Sequence, residues 1–216
     1  MKEEEVPACP VCRSGQVHYF GCFEAQVYWR CKDCLATFLD PAQRPDAAAE
    51  RERYLEHHND PQDPRYRRFL GKLVEPLREK LPEQARVLDY GCGPGPGLAA
   101  MLEESGHRVQ LYDPFFHAEP SALEARYDAV ACPEVVEHFH APAEEFERLG
   151  RLLQPGGWLG IMTCFQTEDA RFANWHYRRD PTHVVFYKAE TLRFLAARHG
   201  WRCEIPVKDV ALMQVP

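Results

Sequence analysis

The stretch Val87-Leu88-Asp89-Tyr90-Gly91-Cys92-Gly93-Pro94-Gly95 decides how the chain is read. An apolar run ends on a carboxylate and breaks into three glycines at alternate positions, the pattern of a buried strand turning through a tight loop into a helix. Glycine at such a turn lets a ligand approach the backbone closely. The dinucleotide fingerprint Gly-x-Gly-x-x-Gly is not met, because the third glycine position counted from Gly91 is Pro96. Asp89, two residues before the loop, would oppose a pyrophosphate and favour a cationic ligand.

Working outward, Arg86–Tyr90 reads as a strand, 97–105 as a helix and His107–Tyr112 as the next strand. That strand ends at Asp113, twenty-two residues after Gly91, where a carboxylate can accept hydrogen bonds from both hydroxyls of a ribose. Tyr127–Cys132 is a further strand, followed by a helix at about 142–153, the turn Pro155-Gly156-Gly157 and strand Trp158–Cys164. Helix 189–199 precedes two last strands near 201–206 and 209–214. The alternation predicts an α/β fold with a Rossmann-like, mostly parallel sheet of seven strands. Only thirteen residues separate Asp113 from Tyr127, so the third strand is abbreviated and six strands is the alternative. A ligand with a sulfonium, an ammonium and a ribose, namely S-adenosylmethionine, fits Asp89, the glycines and Asp113 together.

Upstream of the loop the cysteines dominate. The chain has 216 residues and nine cysteines, an odd number that cannot all pair within one chain. Four of them form Cys9-x2-Cys12 and Cys31-x2-Cys34, separated by eighteen residues. Two such knuckles at the ends of a hairpin bring four sulfurs to the corners of a tetrahedron, the geometry Zn2+ prefers, with iron or unmetallated thiols as alternatives. The hairpin strands are expected at Gln16–Phe20 and Gln26–Arg30, with Gly21 in the turn region and Cys22 at the tip, outside the ligand set. Four thiolates leave no open coordination position, so such a metal is structural. Cys92, Cys132, Cys164 and Cys203 lack metal spacing and read as packing. The expected organisation is a zinc ribbon over 1–40, a linker and helical cover over 41–83, and a cofactor domain over 84–216.

Charge and composition bound the partners. The formal net charge is −7, with 45% hydrophobic and 27% charged residues, an ordinary globular balance. Residues 1–40 carry four Lys/Arg against six Asp/Glu, the wrong sign for a phosphate backbone, so nucleic acid is not the expected partner. Segment 65–80 carries six Lys/Arg against two Glu and shows helical apolar spacing at Phe69, Leu70, Leu73, Leu77 and Leu81. Its positive face is either solvated or a basic wall beside an anionic substrate. The opening Met1 to Pro7 has no apolar core, and no stretch approaches the roughly 18 apolar residues of a membrane span, so a cytoplasmic chain without a membrane partner is expected. In that compartment clustered thiols hold metal more often than disulfides.

Leu88-Asp89-Tyr90-Gly91-Cys92-Gly93-Pro94-Gly95, Asp113, Tyr127-Asp128-Ala129-Val130, Glu134-Val135-Val136-Glu137-His138 and Leu152-Leu153-Gln154-Pro155-Gly156-Gly157 together resemble the class I S-adenosylmethionine-dependent methyltransferases, in the small bacterial branch with Glu-Val-x-Glu-His. The likeness covers 85–216, and the N-terminal segment resembles a zinc ribbon. It implies a cofactor site built from Asp89, Tyr90, Gly91, Cys92, Gly93, Gly95, Asp113, Pro114, Pro133 and Glu134. Gly91, Gly93 and Gly95 would meet the methionine moiety and Asp113 the ribose. The usual acidic contact to the adenine amine has no counterpart, which leaves Tyr54, His57, His58 and Tyr66 as candidates to close that side.

Methyl transfer is an in-line displacement, so the acceptor must be aligned and, where needed, deprotonated. Groups at the carboxyl ends of the strands qualify: Pro133 to His138, Cys164-Phe165-Gln166, and the loop Trp175 to His183, with His183 as a candidate base beside Glu134 and His138. Arg178 and Arg179 are candidates to grip an anionic substrate. Glu134, Glu137, His138 and His183 also look like the Glu-x-x-Glu-His…His set of metal-dependent O-methyltransferases in ubiquinone synthesis and small-RNA end methylation, which implies a second divalent cation. Without one, Glu137 and His138 cap the next helix or line the adenosine site. The expected activity is methyl transfer, O-methylation favoured, to a small-molecule acceptor. The rivals are an RNA or protein methyltransferase that reads substrate through the ribbon, and a non-catalytic cofactor-binding partner subunit.

Overall fold

The computed structural model describes residues 6–56 and 59–216. It contains β1 (Val17–Phe23), β2 (Gln26–Cys31), β3 (Thr37–Leu39), α1 (Ala47–Leu55), α2 (Pro64–Arg78), β4 (Arg86–Tyr90), α3 (Gly97–Glu104) and β5 (Arg108–Tyr112). These are followed by β6 (Tyr127–Pro133), α4 (Pro142–Arg151), β7 (Leu153–Met162), β8 (Val185–Phe186), α5 (Ala189–Arg198), β9 (Arg202–Glu204) and β10 (Val210–Gln214).

The larger sheet has six strands in the order β5-β4-β6-β7-β10-β9. β5, β4, β6 and β7 run parallel, and β10 is antiparallel to both β7 and β9. Of the two strand counts expected, the shorter one is present. An antiparallel bridge between Asp113 and His117 and a 3-10 turn at Pro120–Leu123 occupy the place of a third strand. Buried Ala122 anchors that turn, its carbonyl accepting the Tyr127 hydroxyl at 2.9 Å. β7 begins at Leu153, not Trp158, because the Pro155-Gly156-Gly157 segment is taken up as an irregularity in its pairing with β6.

α2 owes its start to Asp63, whose carboxylate accepts the Arg65 N–H at 2.8 Å, and to Pro64 in its first turn. Leu70, Leu73, Val74 and Leu77 recur at helical spacing and are all buried, where α2 packs on β7, β10 and α3. Each such side chain contributes about 1.5–3 kcal/mol when fully buried. The polar face of α2 is spent on ion pairs, such as Arg67–Glu104 and the largely exposed Arg65–Asp63 at 3.6 Å.

The second sheet is the part the sequence did not announce. Its order is β1-β2-β3-β8, all antiparallel, so the cysteine-rich hairpin is continued by a strand from just after the 175–183 loop. β1 runs through Gly21 and Cys22 to Phe23 with an irregularity between Tyr19 and Gly21, which moves the turn from the expected Gly21–Cys22 to Glu24-Ala25. Both turn residues have positive φ, 51° and 68°, the conformation a two-residue hairpin demands. Phe172, from the segment between β7 and β8, packs onto this second sheet: it is 1% exposed, and Phe20 of β1, Tyr28 of β2 and Phe186 of β8 stand edge-on to it at centroid distances of 5.2, 5.0 and 5.1 Å.

Candidate active site

The carboxyl ends of β4, β5 and β6, with α1 and the start of α2 over them, enclose a cavity of about 790 Å3. The glycine loop forms its floor. Gly91 has φ +77° and a Cβ there would lie 2.6 Å from Val135 Cγ2, so both backbone and packing require glycine. Gly93, at φ +61°, has open space where a Cβ would stand. Gly95 is placed differently: its absent Cβ would lie 1.9 Å from the Asn59 carbonyl oxygen, and it does not line the cavity. Tyr90, Cys92, Pro114 and Pro133 do line it.

Two carboxylates shape this end. Asp113 Oδ2 accepts the Gly93 N–H at 3.0 Å, while Oδ1 accepts the N–H groups of Phe115 and Phe116 at 2.8 and 3.1 Å. The second strand's terminal acid thus locks the loop of the first. Asp89 is 1% exposed, and its Oδ1 has no hydrogen-bond partner among the described residues. Burial, with the Asp113 charge adding, pushes its carboxyl up to about 7. An orphaned acceptor at the loop suits a cationic group of a ligand.

At the opposite end stand the residues after β6. Glu134 has φ +55° and its N–H donates to the Met162 carbonyl at 2.7 Å. Left-handed backbone at a non-glycine residue costs about 1–2 kcal/mol and gathers at functional sites. Burial and the neighbouring Glu137 push the Glu134 carboxyl up to about 9. Glu137 is fully buried; Tyr177 Oη donates to its Oε1, and its Oε2 has no partner among the described residues. His138 Nδ1 lies 3.0 Å from the Thr182 carbonyl and His183 Nδ1 2.7 Å from the Tyr177 carbonyl. A carbonyl cannot donate, so in each neutral ring Nδ1 carries the proton and Nε2 the lone pair.

One ligand atom from each of Glu137, His138 and His183 lies within 4.8 Å of the others; Glu134 lines the cavity but does not join this group. The set fits a divalent cation on its own chemistry. It has a buried carboxylate oxygen lacking a partner, and two imidazoles whose second nitrogens are held by backbone carbonyls, as metal-ligating histidines usually are. Cys9, Cys12, Cys31 and Cys34 form a second such group, all buried. Their Sγ–Sγ separations of 3.6 Å (Cys9–Cys34) and 3.5 Å (Cys12–Cys31) far exceed a disulfide bond. They approach the roughly 3.8 Å edge of a tetrahedron with Zn–S of about 2.3 Å.

Other candidates are distributed unevenly. Tyr54 and Tyr66 line the cavity, whereas His57 and His58 lie outside the described residues. His176, Asp180 and His183 line it from the 175–183 loop; Cys164 and Gln166 do not, Gln166 being turned to Thr37 at 2.6 Å. Arg178 does not reach the cavity either: it is 1% exposed and bonded to Glu24 of the hairpin. Arg179 is exposed, and none of the Lys/Arg side chains of α2 lines the cavity, so the basic wall is not formed. Tyr177 was not singled out in advance, since nothing in its local sequence marks a tyrosine that reaches a buried glutamate forty positions upstream.

A parallel-centred sheet with a glycine loop after its first strand, an acid closing the second and a charged cluster after the next defines a class I methyltransferase fold. Residues 55–204 match the model of the methyltransferase-domain family, and the chain belongs to that family. Among curated relatives, a ubiquinone biosynthesis O-methyltransferase of Leptothrix cholodnii is 31% identical, covering 42% of this chain and 52% of that protein. A counterpart of the same name from Xylella fastidiosa is 29% identical over 38% of this chain and 43% of its own length. The chain therefore spans about half the length of these relatives. The structure of Burkholderia thailandensis 1,6-didemethyltoxoflavin-N1-methyltransferase superposes with a TM-score of 0.56 at 21% identity, covering 93% of this chain and 99% of that one, a likeness of fold.

Proposed function

We propose that the protein transfers the methyl group of S-adenosylmethionine to a small-molecule acceptor, with a hydroxyl as the favoured acceptor group. The observation that carries this reading is the Glu137–His138–His183 cluster after β6, beside a cavity whose glycine loop presents the orphaned Asp89 carboxylate. Asp89 would face the cationic end of the cofactor, Gly91 and Gly93 would admit its methionine moiety, and Asp113 would meet the ribose. Tyr54, from α1, would cover it.

His138 and His183 each have Nδ1 tied to a carbonyl, so their Nε2 lone pairs serve either a divalent cation or the proton of an acceptor hydroxyl. A cation held by Glu137, His138 and His183 would lower the pKa of an acceptor hydroxyl. Without that cation, Glu134, whose carboxyl is pushed up to about 9 by burial and the Glu137 charge, would donate a hydrogen bond to the acceptor. Tyr177 keeps Glu137 oriented through its hydroxyl, which also lies 3.1 Å from Thr163 Oγ1.

We read residues 1–40 as a ribbon with a structural zinc, 41–83 as the cover and 84–216 as the catalytic unit, in a cytoplasmic protein. The decisive experiment follows release of S-adenosylhomocysteine from purified protein with catechol- and phenol-type acceptors, with Mg2+ or Mn2+ and with a chelator. Failure to bind S-adenosylhomocysteine in calorimetry sinks the methyltransferase reading. Full turnover in chelator sinks the role of a cation and leaves His183 as base.

A further inference from the structure

We infer that the cysteine-rich hairpin positions the acceptor end of the active site, holding segment 176–186 at both ends, with Arg178 as the positioning residue that fixes His183. The inference rests on the active-site reading above only in calling His183 functional.

The downstream end is held by strand pairing. β8 begins two residues after His183, and among the described residues its only partner strand is β3 of the hairpin unit, through Thr37↔Phe186 and Phe38↔Val185. The Leu39 N–H donates to the Val184 carbonyl at 2.9 Å, and the Val184 N–H donates to the Glu137 carbonyl, also at 2.9 Å. Val184 therefore spans from the hairpin unit to the cluster. β2 ends at Cys31 and β3 starts three residues past Cys34, so the four-cysteine group fixes the course of the strand that β8 follows.

The upstream end is held by Arg178. Its side chain is wholly buried, yet it points to the hairpin: Nη2 donates to Glu24 Oε2 at 2.8 Å and to the Ala173 carbonyl at 3.0 Å, and Nη1 donates to Gln26 Oε1 at 3.2 Å. The guanidinium lies 5.8 and 5.9 Å from the ring centroids of Phe23 and Tyr28. A buried arginine whose Nε lacks a partner among the described residues is a poor stabilising device, since desolvation offsets much of the ion-pair energy. What it supplies is register. The preceding residue, Tyr177, gives its carbonyl to His183 Nδ1 at 2.7 Å and its hydroxyl to Glu137, so a turn of this backbone would release both. The glycine loop, by contrast, follows β4 of the other sheet, and disturbing the hairpin should leave cofactor binding in place.

The test uses the full chain, with 15N NMR of the histidine rings and calorimetry of S-adenosylhomocysteine side by side. Wild type should show His183 as a single tautomer protonated at Nδ1. Arg178→Met should abolish that single tautomer, Glu24→Gln should weaken it, and Arg178→Lys should restore it in part, while cofactor-product affinity stays within twofold. Glu24 is 68% exposed at its side chain, so its variant carries the test should Arg178→Met fail to fold. A His183 tautomer unchanged in every folded variant overturns the inference, as does a loss of S-adenosylhomocysteine affinity that parallels the change at His183. A wild type that binds no S-adenosylhomocysteine would sink the proposed activity, yet the His183 signal would still decide the positioning role.

Discussion

Asp180 Oδ2 accepts hydrogen bonds from Arg53 Nε at 3.1 Å and Nη2 at 2.9 Å, tying α1 to the loop that carries His183. Tyr54, the next residue on α1, sits edge-on to His138 with centroids 5.2 Å apart, so the pair also sets the cover over the cluster. Burial alone would raise the Asp180 carboxyl, but the bonds from Thr182 and Arg53 outweigh it and hold it well below the usual carboxylate range. A depressed carboxylate contributes stability above its unfolded pKa of about 3.9 and loses it as pH falls further. Because Arg53 is partly exposed, the pair is worth about 1 kcal/mol at most. Arg53→Met should speed hydrogen exchange in α1 by about fivefold at pH 7, and the difference from wild type should shrink below about pH 4. Equal exchange rates at pH 7 would remove the pair from the account of the cover.

On the proposed assignment, Asp89 would make cofactor binding depend on pH in the opposite region. Its carboxyl is raised to about 7, so in the free protein it is substantially protonated at neutral pH. A cation beside it favours the ionised form, which means that binding releases a proton and strengthens as pH rises through about 7. Calorimetry of S-adenosylmethionine in two buffers of different ionisation enthalpy should detect release of up to one proton near pH 6.5. Asp89→Asn should bind more weakly, with a flat pH profile. A proton uptake on binding would contradict the assigned partner.

Much of this arrangement is legible from residue order, and the portions that are not share a cause. The glycine loop, the strand-ending Asp113 and the four thiols are local patterns whose spacing carries their geometry. Gly95 looks like the loop's third contact with ligand because its sequence context is the same as that of Gly93. Its need for glycine comes from Asn59, thirty-six positions upstream. Arg178 sits in a polar, histidine-bearing loop and reads as a substrate anchor, yet its partners Glu24 and Gln26 are brought to it only by the second sheet. β8 is two residues long and has no period to detect. Long-range pairing sets these positions, and no window of neighbouring residues contains it.

The glycines can be separated by substitution. Gly93→Ala adds a methyl group in open space at φ +61°, so the expected cost is the backbone term of about 1–2 kcal/mol. Gly95→Ala drives a Cβ to 1.9 Å from the Asn59 carbonyl oxygen, and the segment leading into α2 must move. Overpacking of that sort costs about 1–3 kcal/mol, and the damage should appear as faster exchange at the start of α2. Urea unfolding of both variants measures the energies. Equal exchange in α2 for the two would show that Asn59 gives way freely.

The cysteine group should bind one zinc per chain, measured by elemental analysis. Cys9→Ser or Cys34→Ser should lose it, and Cys22→Ser, at an exposed position on β1, should keep it. Because β8 pairs with β3 and Arg198 Nη1 donates to the Cys12 carbonyl at 2.5 Å, metal loss should lower the melting temperature of the whole chain in a single transition. A separate early transition confined to the hairpin would mean that the two sheets unfold independently.

If the cavity receives the acceptor as proposed, the charge around it should select among acceptors. Glu50, Asp89, Asp113, Glu134, Glu145 and Asp180 line it against one guanidinium, Arg148, and that one lies 3.4 Å from Glu145. Without a cation, burial and the Glu137 charge push the Glu134 carboxyl up to about 9, whereas the bonds from Thr182 and Arg53 hold the Asp180 carboxyl well below the usual carboxylate range. An acceptor with its own carboxylate would find no spare Lys or Arg among the described lining residues. At an effective dielectric near 20, two like charges about 4 Å apart cost about 4 kcal/mol, and a third of that is already tenfold in affinity. In the presence of S-adenosylhomocysteine and Mg2+, a neutral catechol should therefore bind at least about tenfold more tightly than its ring carboxylate at pH 7.5. A catechol bearing an ammonium should bind at least as well as the neutral one. A preference for the carboxylate would show that a cation in the Glu137–His138–His183 group, not the surrounding acids, sets the charge an acceptor meets.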